Sequence, residues 1–296
     1  MKTITLLLFA ILLINPFGLS GQSETAGNGK KFQITDSYFQ SSITLESGLD
    51  ASLTEFRTLA PQSNLLQLDY SNYDKYPSYL YTPSFTFISS IGIQINPDKT
   101  RRITPYIRLG IRYNSSQLLS GSYNYMSRFP FDTLYSSQTG DTIIIDSVIS
   151  NSINATYDSK QLGIDVAILF RTTPSARWSL YSGIGLAASV SISASTKIGF
   201  ISNRYTEDHS GNHNFYPGYT YLPYQQETIR NQSNYSIHAY IPLGIDWRVG
   251  KKSEFLNHLH LYYEASPTLI YTNIPELNHY LNARITQSLG LRINWM

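Results

Sequence analysis

Tyr235 to Val249 reads YSIHAYIPLGIDWRV. One set of alternate positions is Tyr235, Ile237, Ala239, Ile241, Leu243, Ile245, Trp247 and Val249, all apolar or aromatic. The other set contains Gly244, Asp246 and Arg248. A period of two places the sets on opposite faces of a β-strand. About ten residues of this pattern suffice for a tilted strand to cross a bilayer.

The same alternation recurs on either side. Ile43, Leu45, Leu49, Ala51 and Leu53 form a first apolar face, opposite Thr44, Glu46, Gly48 and Asp50. Phe85, Phe87, Ile91, Ile93 and Ile95 form a second, and Ile103, Ile107, Leu109, Ile111 and Tyr113 a third. Leu162 to Phe170 and Trp178 to Ile192 are the fourth and fifth, and the quoted stretch is the sixth. Leu259 to Ala265 and Ile285 to Trp295 complete the series. Each segment is a weak signal alone, but eight in succession predict an all-β, eight-stranded, antiparallel up-and-down transmembrane β-barrel.

Composition agrees. Of 296 residues, 22 are basic and 20 acidic, so no basic surface for nucleic acid is expected. The 24 tyrosines suit a protein with many apolar–polar boundaries. With no cysteine there is neither a disulfide nor a thiolate metal site. The mean hydropathy of -0.20 is modest because apolar residues occupy only alternate positions.

Residues 1–20 read as a secretory signal: Lys2, an apolar run from Ile4 to Ile14, and Gly18-Leu19-Ser20 for cleavage. Residues 21–36 read as a flexible periplasmic lead-in, and 37–296 as the barrel. Linkers alternate in length. Residues 96–100, 172–176 and 250–255 are short; 57–78, 115–156, 199–234 and 266–281 are expected as four long external loops. Within the second, Asp141 to Asp146 with Val148-Ile149 reads as a strand continuing above the surface. An even strand count then places both termini in the periplasm.

Three features orient the strands. The apolar face carries no charge. The opposite face carries Gly48, Gly92, Gly110, Gly163, Gly183, Gly244 and Gly290, as a crowded concave side requires. Trp178, Trp247, Trp295 and Phe170 lie at the short-turn end of the apolar face. Phe56, Tyr79, Tyr81, Tyr113, Tyr157 and Tyr235 are expected in a second girdle. Inward charges are Glu46, Asp50, Arg108, Arg112, Asp165, Arg171, Asp246, Arg248, Glu264, Arg284 and Arg292. Their depths predict that Arg108 reaches Asp165, and that Glu46 or Asp50 meets Arg292 or Arg284. Such a plug leaves no open pore despite a porin-like outline.

The close Gly290-Leu291-Arg292-Ile293-Asn294-Trp295 resembles the glycine-to-aromatic end of the outer-membrane β-barrel family widespread in Bacteroidota. Met296 after the aromatic departs from that pattern. The resemblance implies the outer membrane of a Gram-negative bacterium and handling by the barrel-assembly machinery. It implies no activity.

His258, His260 and Glu264 on the seventh segment are the best grouping for catalysis, and are expected instead to join the polar interior. Asp208, His209 and His213 have metal-like spacing but sit among glycine and asparagine, so no metal is expected. The nearby Tyr205, Phe215, Tyr216, Tyr219, Tyr221 and Tyr224 suit a binding surface or loop packing. The expectation is a non-enzymatic barrel in contact with membrane lipid, without cofactor, presenting its loops to an external ligand or envelope protein. The alternatives are a lipid-modifying enzyme and a soluble secreted ligand carrier.

Overall fold

The computed structural model describes residues 32–46, 48–76, 82–95, 103–135, 138, 140, 142–172, 176–208, 220–250 and 253–295. The signal and most of the lead-in lie outside these residues, as do Tyr79, Tyr81, His209, His213 and residues 96–100.

Eight long strands close into a ring. They are β1 (Phe32–Glu46), β2 (Thr82–Ile95), β3 (Ile103–Tyr135), β4 (Thr142–Thr172), β5 (Trp178–Asp208), β6, β7 (Leu259–Asn273) and β8 (His279–Asn294). β6 comes in two halves, Tyr235–Tyr240 and Leu243–Arg248. Each strand pairs antiparallel with the next, and β8 returns to β1 through Phe39↔Leu291 and its neighbours. The break in β6 falls at Ile241-Pro242, facing Pro267 on β7, where two residues without an N–H interrupt the ladder.

The apolar sets point outward. Ile91, Leu109, Ile164, Ile184, Ile237, Leu261 and Leu289 are all exposed, Ile184 at 69%. On β3 this face runs from Ile103 to Tyr113, about ten residues, or roughly 25 Å after a tilt of ~40°.

β3, β4 and β5 are far longer than that band requires, at 33, 31 and 31 residues. Beyond it they continue as one sheet, joined by Gln225–Arg230 on the β5 edge and Asp74–Tyr76 on β3. The β3–β4 connection is therefore mostly hairpin, with the 141–149 strand inside β4. Facing inwards, this extension carries an apolar core: Leu119, Tyr123, Ile153, Ala155, Tyr157 and Ile198. The segment after β1 covers it, through Ala51, helix α1 (Leu53–Leu59) and the turn at Leu65–Gln67.

Polarity therefore reverses along a single strand. On β4 the outward residues from Phe170 to Leu162 are apolar, followed by Lys160, Asp158 and Thr156. Its inward residues include Arg171, Asp165, Gln161 and Ser159, followed by Tyr157, Ala155 and Ile153. Register shifts at Gln117/Leu119 on β3 and Lys160/Gln161 on β4 mark the same level. Bulges gather at such rims, where a strand must re-aim its side chains.

Several expectations fail for identifiable reasons. β1 begins at Phe32, inside the predicted lead-in, and ends at Glu46. Leu49, Ala51 and Leu53 are therefore not ring positions; Ser52 caps α1, pairing reciprocally with Glu55 through the backbone N–H of each. Gly48 abuts the Leu119 backbone rather than the lumen. Phe56 and Tyr157, expected in the outer girdle, are fully buried in the apolar core. The 266–281 linker is mostly strand, because β7 runs to Asn273 and β8 starts at His279.

Candidate functional site

The interior of the ring is filled in tiers. At the short-turn end, Arg292 donates to Asp36 at 2.7 Å and to Asp246 at 2.8 Å. His260 contacts Asp246 through Nδ1 and lies beside the Arg292 guanidinium. Arg171 lies 3.6 Å from Asp246, with the rings of Tyr38, Tyr106 and Tyr181 around it at 5.3–5.7 Å. A guanidinium is weakly hydrated and stacks well on aromatic faces, which suits it to this crowded place.

In the middle tier Arg108 on β3 donates to both oxygens of Glu264 on β7, at 2.8 and 3.3 Å. Tyr181 and Gln40 also donate to Glu264. Asp165 accepts from the Tyr240 hydroxyl at 2.6 Å and lies 3.6 Å from Arg112. Opposed charges and neighbouring hydroxyl and amide donors make these buried charges tolerable.

Tyrosines and glycines interlock between the tiers. The registers set Tyr240 opposite Gly185, Tyr181 opposite Gly244, and Tyr262 opposite Gly290. A methyl on any of those glycines would lie 2.1–2.3 Å from the facing ring. The glycines therefore leave room for the ring on the neighbouring strand.

Above lies a network of amides and hydroxyls. Gln161 donates to Asn234 and Ser236, and Asn234 donates to Tyr157 and Ser159. A cavity of about 40 Å³ opens here, lined by Asn114, Gln161, His238, Thr272 and Arg284 among others. His238 is fully buried, and neither ring nitrogen has a hydrogen-bond partner. A water needs at least ~10–15 Å³, so this polar space fits water as its partner. Leu49, Leu119, Ile274 and Tyr280 also line it.

The predicted interior charges divide. Arg108, Arg112, Asp165, Asp246, Glu264 and Arg292 meet inside the ring, and Arg284 lies half-buried at the cavity edge. Glu46 ends β1, with its side chain outside the described residues. Asp50 is exposed and paired with Lys75, because the chain has left the ring before reaching it. Arg108 binds Glu264 across the lumen rather than Asp165 on the next strand, because a long side chain pointing inward reaches the far wall. Arg292 meets Asp36 and Asp246 rather than Asp50, and the expected contacts of Glu46 lie outside the described residues. Asp36 is the partner missing from the expected set, because it closes the polar stretch read as the lead-in and a register shift at Ile34/Asp36 interrupts the alternation there.

His258, His260 and Glu264 do not assemble. His258 ends the short helix α2 (Glu254–His258), while Glu264 belongs to the Arg108 tier. Among the described residues no group of three or more potential ligands could hold a metal.

Outside, Trp178 and Trp247 stack with centroids 5.3 Å apart, and Arg177 sits over the Trp247 ring. Trp295 donates to Ser37, Phe170 and Tyr235 are exposed, and Tyr113 is half-exposed on the same outward face.

No protein-family model matches the chain, and no curated protein does. Among solved structures it is similar to Ail, the attachment invasion locus protein of Yersinia pestis. There the identity is 11% and the TM-score 0.22, over 89% of this chain and 97% of that one. It is also similar to OmpT, an outer membrane protein of Vibrio cholerae, at 9% identity and TM-score 0.13, over 87% of this chain and 76% of that one. Pseudomonas putida OprB follows at 7% and 0.15, over 90% and 94%. At such scores function has to come from the chain's own geometry.

Proposed function

We propose that this chain is an integral outer-membrane β-barrel, antiparallel and up-and-down, with a sealed lumen and a folded platform held above the membrane. One observation carries the reading. The outward apolar band is free of charge and flanked by aromatics, and outward polarity reverses above it at Lys160 and Asp158. Water surrounding the whole chain gives no reason for such a boundary; a hydrocarbon layer of about 25 Å does.

In this reading the short connections, and with them both termini, lie on the periplasmic side. An export signal at residues 1–20 delivers the chain there, and Gly290 to Trp295 offers the assembly machinery its recognition end. The resemblance of that end supports a barrel of the kind widespread in Bacteroidota. The interior tiers support a non-conducting role, and the three-strand extension supports presentation of a rigid surface to an external ligand or envelope protein.

Neither alternative gains support. A soluble ligand carrier needs its apolar face inside, where this chain stacks tyrosine and paired charge. A lipid-modifying enzyme needs reactive groups open to lipid, whereas His260 is 3% exposed and held between Asp246 and Arg292.

The test is membrane fractionation, then planar-bilayer recording of purified protein. Resistance to carbonate extraction, a gel-mobility change on boiling, and the absence of stable ohmic steps are expected. A freely soluble protein would overturn the membrane reading; large steady conductance would overturn the sealed lumen.

A further inference from the structure

We propose that Lys160, Lys197 and Arg230 form a docking surface for the phosphates of anionic lipid in the outer leaflet. The inference rests on the membrane reading above. Lys160 on β4 pairs in register with Ser193 on β5, and Asp158 with Ser195. Ser195 in turn faces Arg230, and Lys197 faces Thr228. Lys160, Ser193, Lys197, Thr228 and Arg230 are all exposed. The inward neighbours Ser159, Thr196 and Ile229 are buried, so the exposed set shares the outer surface.

The patch lies at the chemical boundary of the wall. Just below it, Leu162, Val190, Ile192 and Tyr235 are exposed on the apolar band. Lysine and arginine at that height lay their stems along the apolar surface and lift their charges into the headgroup layer. Lys160 and Arg230 lie two strands apart and offset along them, about 12 Å between backbones. Side chains of that length can converge on a phosphate between them, with the Ser193, Ser195 and Thr228 hydroxyls as further donors.

Charge accounting favours an anionic partner. Asp158 is the one carboxylate among these residues, and it pairs with Lys197 at 2.7 Å. Lys160 and Arg230 have no carboxylate partner among the described residues. Elsewhere at this level the registers bring Ser115, Phe85 and Ile43 to one side of the patch and Asn273 and His279 to the other, none of them lysine or arginine. Among the described residues at this level, lysine and arginine are confined to the β4–β5 sector, which points to a localised lipid contact rather than a uniform belt. Clustered cations at a membrane surface select anionic lipid in this way.

The experiment is native mass spectrometry of the full-length protein released from mixed micelles. The micelles contain either phosphatidylglycerol or a diphosphorylated glycolipid, each against phosphatidylcholine. The wild type is expected to retain anionic lipid at least three-fold more than phosphatidylcholine, and ~10 mM inorganic phosphate should not displace it. The triple variant Lys160→Gln/Lys197→Gln/Arg230→Gln should lose that preference, whereas Arg204→Gln should keep it. If the triple variant does not fold, Lys160→Gln and Arg230→Gln singly should each halve the preference or more. Equal retention by the wild type and a folded variant, or displacement by free phosphate, would overturn the proposal. A protein that inserts in membranes but shows no anionic preference sinks this inference alone; one that does not insert sinks the membrane reading.

Discussion

Arg108 and Glu264 form an ion pair between opposite walls of the ring, from β3 to β7, with both side chains only 1% exposed. The pair bars the lumen at mid-height. Removing one partner leaves the other buried and unmatched, which costs about 3–5 kcal/mol, whereas a well-packed apolar replacement of both is often close to neutral. Arg108→Met and Glu264→Leu should each lower the denaturant midpoint sharply, and the double variant should recover most of the loss. Additive losses in a refolding titration would show that the two do not act as a unit.

A second prediction separates lipid from water outside the ring. Ile184 is 69% exposed, near the middle of the apolar stretch of β5 from Trp178 to Ile192. If water surrounded it, Ile184→Arg would change stability by no more than ~0.5 kcal/mol. Facing hydrocarbon, the substitution should cost about 2–4 kcal/mol. Equilibrium unfolding in phospholipid vesicles decides between them.

The interlocked rings give a third. Gly244→Val would drive a branched side chain into the Tyr181 ring and push its hydroxyl away from Glu264. Overpacking of this kind costs about 1–3 kcal/mol. Adding Tyr181→Ala should rescue part of that loss, and a double-mutant cycle measures how much. Strict additivity would mean that ring and glycine are independent.

The cap yields a pH dependence. Burial alone would raise the Glu55 carboxyl, but hydrogen bonds from Ser52 backbone and hydroxyl, and from the Tyr280 hydroxyl, hold it below the usual range. The cap is therefore most stable above the unfolded-state value of about 4.3, and loosens as pH falls through the lower folded value. Amide protection across α1, corrected for intrinsic exchange, should fall between about pH 5 and pH 3. Glu55→Gln should show weaker protection at neutral pH and little change on acidification. A wild-type profile flat across that interval would remove Glu55 from the account.

How much of this was readable follows from how each residue meets its surroundings. The outward orientation of Ile91, Ile184 and Trp178 was legible because a strand has only two faces, and only one was free of charge. Ser52 and Glu55 also carried a signal, the spacing of a helix cap, but Ala51 and Leu53 happened to continue the alternation beyond Glu46. The extension was harder. Its apolar phase moves from even positions at Leu162 to odd positions at Tyr157, and a strand whose phase slips reads like a strand that has ended. His238 was unreadable as a cavity residue. It occupies one inward position among many, and what it faces comes from four other strands.

Local chemistry alone settled which face points out on the second to eighth segments, how many strands form the ring, and that glycines and charges share the inward face, because these depend on alternation along one segment. Partnership was decided only in three dimensions. Arg108 finds Glu264 rather than Asp165, Arg292 finds Asp36, and Tyr262 lies against Gly290, because ring closure sets which inward residues share a level. That choice belongs to register and shear among strands far apart in the chain, and no single stretch encodes it.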